Sequence, residues 1–282
     1  MSRTRASLDE TRARYAQRMA AASGSDDPRI ARAFAQVPRE AFLPPGPWKI
    51  MVNGRYVETP DADPAQLYHN VLVALDARRR INNGEPFLHA AWLGAVAPKA
   101  GEHCCHIGVG GGYYTAILSV LVSPGGRVDG FEIDEGLAVQ ARANLAPFDN
   151  ARVIAGDATI LPIPPADLIY VNAAVSAPPA SWLHALRPGG RMIFPWRPGE
   201  GIGLAMLLRR AGRGFAVKPL SPAWFIPCAG ASGSAGCTKT PDWRGAHAAR
   251  SVWLNADRAP DGTAVAAYGH MWFSAEPGPF GE

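Results

Sequence analysis

The sequence HCCHIGVGGGYYTA, residues 103–116, decides the fold of this chain. Its first five residues form a short, largely apolar run that predicts a buried strand, and residues 113–122 are predicted to form a helix. Four glycines lie between them in the segment Gly108–Gly112. Because glycine permits a tight turn and a close approach of the backbone to a ligand, this unit predicts a nucleotide-like ligand at the first crossover of a parallel sheet. Taken alone, the loop also fits a purely structural turn.

Downstream of this unit, predicted strands and helices alternate. Strands are expected at residues 127–133, 151–156, 166–173 and 191–195, helices at residues 135–145 and 178–186, and a turn at Pro188–Gly190. This alternation is typical of βαβ units and a parallel sheet. After Pro198 it stops. The rest is predicted to contain an antiparallel hairpin over residues 203–227, a flexible linker over residues 229–236 and a second hairpin within residues 251–274.

Upstream of residue 100, helical patterns dominate. Helices are predicted over residues 7–22, from Pro28 onward, and over residues 86–96. Asp27 suits an N-cap and Pro28 the first position of a helix. Residues 67–75 fit either a helix or a strand.

Two acidic residues follow predicted strands in the positions that a bound nucleoside requires. Glu132 ends the second strand about twenty residues past the glycine loop, where a carboxylate can accept hydrogen bonds from both ribose hydroxyls. Asp157 follows the third strand, where it can accept a hydrogen bond from an adenine amino group. Each has a simpler reading, Glu132 as a surface residue at a strand end and Asp157 as a turn residue. The Glu132 position also suits NAD.

The order of elements argues against NAD as the cofactor, because a dinucleotide enzyme usually continues with more βαβ units. Five predicted parallel strands followed by a hairpin resemble the class I methyltransferase fold. The resemblance implies an α/β, Rossmann-like sheet with a C-terminal antiparallel hairpin and helices on both faces, and S-adenosylmethionine as cofactor. The residues it assigns to the cofactor are His106, Gly108, Val109, Gly110, Gly112, Tyr113, Glu132, Ile133, Asp157, Ala158 and Asn172.

Within that class the chain resembles the protein-L-isoaspartate O-methyltransferase family. The matching segments are DPRIARAFAQVPREAFLP at residues 27–44, Gly112–Ala116, Asn172–Ala174 and Trp224–Pro227. The resemblance covers roughly residues 10–50 and 80–228. It implies methyl transfer to an aspartyl or isoaspartyl carboxylate of a protein or peptide. It also implies an N-terminal helical and substrate-mouth segment over residues 1–99 and a cofactor-binding core over 100–228. The linker and hairpin predicted from the residues then form a C-terminal extension over 229–282.

The resemblance assigns the substrate mouth to the stretch around Asn82, Asn83, Gly84, Glu85 and His89. The family has a serine two positions before a proline here, and this chain has Gly84 before Pro86. Glu85 adds a carboxylate that would repel an anionic isoaspartyl group. Because the resemblance places this segment over the cofactor's methyl group, we expect Asn83, Gly84, Glu85 and His89 to form the catalytic segment, although Asn82–Gly84 would also make an ordinary turn. His69 is expected to be structural.

A second departure lies at the end of the first strand. The family usually has an acid there, which holds the ammonium group of the cofactor's methionine, and this chain has His106. A neutral imidazole can accept one hydrogen bond but gives less electrostatic help. A packed strand residue is the other reading of His106.

Composition and short motifs restrict the expected binding partners and the expected cellular location. The chain has 282 residues, a net charge of +4 and no run of five like charges, so a clustered nucleic-acid surface is not expected. Asn172-Ala173-Ala174-Val175 also differs from the Asn/Asp-Pro-Pro-aromatic motif of enzymes that methylate amines in nucleic acids. No cysteine pair has metal spacing, and Cys228 and Cys237 could pair. Without a signal peptide or a long apolar stretch, a cytoplasmic location and no membrane partner are expected.

Three functions are consistent with these residues. The first is a carboxyl methyltransferase acting on an aspartyl or isoaspartyl side chain. The second is a specialised relative acting on another peptide or on a small molecule. The third is an S-adenosylmethionine-binding module without catalysis, which His106 and Gly84 would explain.

Overall fold

The computed structural model describes residues 7–233 and 236–278, and the chain forms two compact units. Of these described residues, the first unit comprises 7–101 and 109–154, and the second comprises 102–108, 155–233 and 236–278. This division differs from the three consecutive segments expected from the sequence, which stay a prediction. The difference arises because the strand before the glycine loop groups with the second unit, whereas the loop from Val109 onward groups with the first.

Three helices at the N-terminal side of the first unit follow the predicted pattern. They are α1 (Leu8–Ser23), α2 (Pro28–Gln36) and α3 (Pro86–Val96). Asp27 caps α2 by accepting a hydrogen bond from the Arg29 N–H, with Pro28 at the first helical position, so this N-terminus is confirmed. Helix α1 packs against both α2 and α3.

Short strands occupy the region between α2 and α3. They are β1 (Lys49–Val52) and β2 (Arg55–Glu58), which form a hairpin, and β3 (Ala74–Asp76) and β4 (Ile81–Asn82), which form another. The ambiguous stretch 67–75 is neither a full helix nor a full strand. A 3₁₀ turn, Pro64–Leu67, ends at its start and β3 begins at its end. Leu43, Trp48, Leu67 and Val73 form a small buried cluster beneath it.

From residue 103 the elements alternate as predicted. They are β5 (His103–Ile107), α4 (Tyr113–Val122), β6 (Arg127–Glu132), α5 (Glu135–Asn144), β7 (Ala151–Ala155), β8 (Ala166–Val171), α6 (Ala180–Ala185), β9 (Leu186–Gly199), β10 (Ile202–Ala211) and β11 (Gly214–Pro222). In the first unit β6 and β7 are neighbours, and α4 and α5 both pack against β6.

The second unit confirms the predicted fold class. Strands β5 and β8 pair in parallel, with Cys105 opposite Ile169, and β8 pairs in parallel with β9. Strands β9, β10 and β11 then pair antiparallel. The predicted turn at Pro188–Gly190 is instead part of β9. The register against β8 shifts there between Ala166 and Leu168, so these residues form an irregularity inside a longer strand.

The C-terminal segment extends the sheet of the second unit. It contains α7 (Trp243–Ala248), β12 (Ser251–Leu254), β13 (Ala264–Ala267) and β14 (Met271–Ser274). Strand β12 pairs with β11, and β14 lies between β12 and β13. The hairpin is therefore β13–β14, and the turn at residues 259–262 joins two strands that do not pair with each other.

The predicted linker, residues 229–236, is partly packed. The carbonyl of Ala231 accepts a hydrogen bond from the Ser176 N–H, 2.9 Å between N and O, and Ala231 is buried. Ser234 and Ala235 lie outside the described residues. Within the described ranges, no helix is both long enough and apolar enough to cross a membrane.

Candidate functional site

The glycine loop adopts a backbone that requires glycine. Gly112, the N-cap residue of α4, lies in the left-handed region, with φ of +97°. A Cβ on Gly111 would lie 2.5 Å from the carbonyl oxygen of Phe42, so no larger residue fits without a shift. The Gly111 carbonyl accepts a hydrogen bond from Asn144 Nδ2 at 2.9 Å. The part of the loop in the first unit is thus held at Gly111 by Phe42 and Asn144.

Glu132 is bound directly to this loop. Its Oε2 accepts a hydrogen bond from the Gly110 N–H at 2.7 Å, and its Oε1 accepts one from the Asp134 N–H at 3.0 Å. Burial raises the pKa of Glu132 above its ordinary value, and the backbone hydrogen bonds from Asp134 and Gly110 oppose that rise. The end of the second strand and the glycine loop are therefore adjacent, as the spacing predicts.

The other first-unit residues expected at the cofactor differ in exposure. Ile133 is 52% exposed, whereas Val109 and Tyr113 are buried. The ring of Tyr113 packs edge-on against Phe42, and the Arg39 guanidinium lies over it. The side chain of Tyr113 therefore belongs to the core, and only its main chain lies at the start of α4.

In the predicted substrate mouth, Asn82 and Asn83 hold the backbone. Asn82 Oδ1 accepts a hydrogen bond from the Gly84 N–H at 3.0 Å, and Asn83 Oδ1 accepts one from the Val73 N–H at 2.9 Å. Both contacts fit the turn reading of this segment.

Gly84 has no room for the serine of the family pattern. Its φ is +77°, and a Cβ would lie 2.3 Å from Nε2 of His89 and 3.2 Å from Cε2 of Tyr114. His89 is fully buried and stacks on Tyr114, with 3.7 Å between ring centroids. Gly84 and His89 are thus coupled, because the histidine fills the space into which a side chain at position 84 would project.

Asn70 is a residue of this segment that sequence reasoning missed. Its Nδ2 donates a hydrogen bond to Glu85 Oε1 at 2.7 Å, and its Oδ1 accepts one from the Phe87 N–H at 2.8 Å. It therefore connects the exposed Glu85 carboxylate to the first turn of α3. Nothing in the sequence around Asn70 points to this contact. His69 is exposed and contributes its carbonyl oxygen to Arg39.

Arg39 was also missed, although it lies in the matched segment 27–44. It is completely buried, and its guanidinium donates hydrogen bonds to the carbonyl oxygens of Leu67, His69 and Val71. Arg39 therefore holds the backbone on both sides of Asn70 through these hydrogen bonds. Its place in the family-matching segment 27–44 was the signal by which the sequence could have indicated its importance.

In the second unit, His106, Gly108 and Asn172 come together. His106 is fully buried, and this burial lowers its pKa to about 3, so the imidazole is neutral. Asn172 Nδ2 lies 2.9 Å from His106 Nε2, which in the neutral ring accepts this hydrogen bond. Gly108 has φ of +80°, and a Cβ there would lie 3.4 Å from Asn172.

Asn172 Oδ1 is buried, and no other described residue gives it a hydrogen bond. A buried amide oxygen without a partner is costly, since it loses water and gains nothing. Because Nδ2 is committed to His106, this oxygen remains able to accept a further hydrogen bond.

Asp157 and Ala158 shape the turn after β7. Asp157 Oδ1 accepts a hydrogen bond from the Thr159 N–H at 2.8 Å, and Ala158 is buried with its carbonyl oxygen 2.9 Å from Nε1 of Trp182. The turn reading of Asp157 is therefore present in the structure. Its Oδ2 faces Gly230, where a Cβ would lie 3.1 Å away.

The remaining sequence expectations concern sulfur and metals. Cys228 and Cys237 are not joined by a disulfide. Among residues 7–233 and 236–278, no three His, Cys, Asp or Glu side chains are grouped to hold a metal ion.

Comparisons with known proteins give consistent results. The profile of the family described as protein-L-isoaspartate(D-aspartate) O-methyltransferase matches residues 17–233. The protein-L-isoaspartate O-methyltransferase of Methylorubrum populi is 31% identical over 231 residues, which are 81% of this chain and 99% of that protein. The one from Ignicoccus hospitalis is 29% identical, covering 70% of this chain and 87% of that protein.

Two solved structures share the fold. A protein-L-isoaspartate O-methyltransferase aligns with a TM-score of 0.68 and 21% identity, over 95% of this chain and 88% of that one. A second, from Plasmodium falciparum and in complex with S-adenosyl-L-homocysteine, aligns with a TM-score of 0.62 and 17% identity, over 77% of this chain and 97% of that one.

Proposed function

Because this chain belongs to the protein-L-isoaspartate O-methyltransferase family and is a methyltransferase that uses S-adenosylmethionine, we propose that it methylates the carboxylate of an aspartyl or isoaspartyl residue in a protein or peptide. One observation carries this proposal. The family match begins at residue 17, so it includes the segment upstream of the glycine loop, where the substrate mouth is expected. A cofactor-binding module without catalysis is not kept as a hypothesis, because the family is one of enzymes.

The residues present fit S-adenosylmethionine. The buried, unsatisfied Asn172 Oδ1 suits the ammonium group of the methionine part, and the Glu132 carboxylate suits the ribose hydroxyls. His106 orients the Asn172 amide by accepting from its Nδ2. The remaining assignments, Gly108, Val109, Gly110, Gly112, Tyr113, Ile133, Asp157 and Ala158, stay part of the proposal.

The proposed methyl transfer requires the protein to position the acceptor carboxylate rather than to supply an acid or a base. When bound, the sulfonium cofactor supplies both the methyl group and its leaving group. A carboxylate acceptor is already a nucleophile, so the protein has only to place it in line. The turn at Asn82–Gly84, held by two asparagine side chains, and the buried His89 give the proposed mouth its shape. Asn70 holds one oxygen of Glu85, so this carboxylate is oriented by a neutral amide.

A methylation assay tests the acceptor. The enzyme is incubated with methyl-labelled S-adenosylmethionine and two peptides of identical sequence, one with an isoaspartyl and one with an aspartyl linkage. We expect label that mild alkali releases as methanol, because a carboxyl methyl ester hydrolyses and a methylamine does not. Label that resists alkali, or no label on either peptide while the enzyme binds the cofactor, would contradict the proposal.

A second candidate is a specialised methyltransferase for a different peptide or a small molecule. The observation that favours it is the collision between a side chain at position 84 and His89. Alkali-labile label on proteins of a cell extract, with none on either peptide, would support this reading. The cytoplasmic location expected from the sequence stays a prediction.

A further inference from the structure

The loop after β8, residues 172–178, carries Asn172 and is anchored along its whole length. Its Ala174 N–H donates to the Ile226 carbonyl oxygen at 2.8 Å, and its Val175 N–H donates to the Pro195 carbonyl oxygen at 2.9 Å. These anchors come from within residues 17–233, the part of the chain that matches the family.

Two further anchors come from the C-terminal segment beyond residue 236. His270 Nε2 lies 2.8 Å from the Pro178 carbonyl oxygen, and because a carbonyl oxygen only accepts, the ring nitrogen donates. Phe273 stacks on Trp196, with 4.2 Å between ring centroids and 24° between the planes. Trp196 Nε1 in turn donates to the Ser176 carbonyl oxygen at 2.8 Å.

Both contacts act on the same end of the loop and come from the β13–β14 hairpin, His270 directly and Phe273 through Trp196. His270 lies in the short turn between β13 and β14, and Phe273 lies on β14, which pairs with β12. Both Trp196 and Phe273 are fully buried. The position of β14 in the sheet therefore sets the position of Ser176 and Pro178.

We propose that His270 and Phe273 are positioning residues, through which the C-terminal strands hold the 172–178 loop so that Asn172 presents its buried oxygen to the cofactor. The inference rests on the proposed role of Asn172. Its physical basis is preorganisation: an amide held in place loses less conformational freedom when a ligand binds than one in a mobile loop. The C-terminal segment would thus act on the reaction without touching the reactants.

The test compares variants of the full chain by calorimetry with S-adenosylhomocysteine and by amide hydrogen exchange. For His270→Ala we expect a Kd about 3- to 10-fold higher and faster exchange in peptides that cover residues 172–178. His270→Gln keeps an N–H donor and should stay within about twofold of the wild type in both measurements. His247→Ala is the matched control, since His247 lies in the same segment on α7 and its ring contacts the Trp243 carbonyl oxygen.

Each outcome decides the matter. Unchanged Kd and unchanged exchange in His270→Ala would overturn the inference, and equal weakening in His270→Ala and His270→Gln would overturn the role of the hydrogen bond. If His270→Ala does not fold, Phe273→Leu replaces it, with faster exchange at Ser176 expected. A wild type that binds no S-adenosylhomocysteine would contradict the proposed function, whereas the exchange rates would still decide whether His270 holds the loop.

Discussion

His106 occupies the strand end where the family pattern has an acid, and it does so without carrying a charge. The imidazole is fully buried, and the cost of placing a cation there keeps it neutral. A neutral ring accepts from Asn172 Nδ2, and the buried Asn172 Oδ1 has no partner among the described residues. In the proposed cofactor site, the pair would therefore offer a neutral acceptor where the family pattern has a charged one, with less electrostatic attraction for an ammonium group.

This burial makes the stability of the protein depend on pH. Between the ordinary value of 6.5 and about 3, the unfolded chain binds a proton at His106 and the folded chain does not. The free energy of unfolding therefore falls as pH falls, by about 1.4 kcal/mol per pH unit well below 6.5. From pH 7.5 to 5 we expect a loss of about 2 kcal/mol from this residue, measured by urea denaturation.

The control for this prediction is a matched pair of variants. His106→Gln should remove the pH dependence that His106 contributes, whereas His184→Gln, at an exposed position on α6, should leave it unchanged. Identical pH dependence in the wild type and His106→Gln would show that the buried histidine is not the source.

Single residues were predictable from the sequence where a local rule decides their role. Asp27 as a helix cap and Glu132 beside the glycine loop follow from spacing and strand order. Asn70 and the contact between Gly84 and His89 depend on which side chains meet across a fold. Sequence periodicity does not specify such contacts, so only the structure could identify them.

The turn that leads into α3 shows how one element restricts another. Gly84 lies in the left-handed region, and His89, one turn into the helix, closes the space beside it. The turn and the helix therefore have to change together. A serine at position 84, as the family pattern has, would need both a strained backbone and a displaced histidine.

Two alanine variants separate these effects. Gly101 has φ of +82°, and nothing lies within 4 Å of the position that an added Cβ would take, so Gly101→Ala should lose only the left-handed strain, about 1–2 kcal/mol. Gly84→Ala, at φ of +77°, should lose about 1–3 kcal/mol more, because the methyl group meets His89. Urea denaturation measures both. Equal losses would mean that His89 moves aside freely, and a serine would then be tolerated.

Elements were predicted well where their own pattern sufficed and poorly where pairing decided them. The helices and parallel strands follow from apolar periodicity. The partner of β12 does not, because β13 follows β12 in the chain, yet β14 is the strand that pairs with it. Similarly, Pro188–Gly190 have the residues of a turn. They lie inside β9 because the residues before and after them, Leu186 and Arg191, both pair with β8.

Ligand binding and the stability of the folded chain are linked, wherever the ligand contacts the protein. A ligand that binds only the folded chain stabilises all of it by RT ln(1 + [L]/Kd). With S-adenosylhomocysteine at 100 times its Kd, the free energy of unfolding should rise by about 2.7 kcal/mol.

Glu132 gives this linkage a residue-specific test. Glu132→Ala removes a charged acceptor, which should weaken cofactor binding by about 1–3 kcal/mol. At the same cofactor concentration the stabilisation should then fall to between about 1.8 and about 0.3 kcal/mol. The measurement is the difference in free energy of unfolding with and without S-adenosylhomocysteine at pH 8, so any loss of stability in the free protein cancels.

Glu135→Ala is the matched control, because Glu135 is exposed in the first turn of α5, three residues beyond Glu132. It should keep the full stabilisation. If Glu132→Ala keeps it as well, then Glu132 serves only to hold the Gly110 and Asp134 backbone, and the ribose has another partner. A loss confined to Glu132→Ala would instead mean that one carboxylate both fixes the glycine loop and binds the ligand, so that the loop is already in its binding conformation before the cofactor arrives.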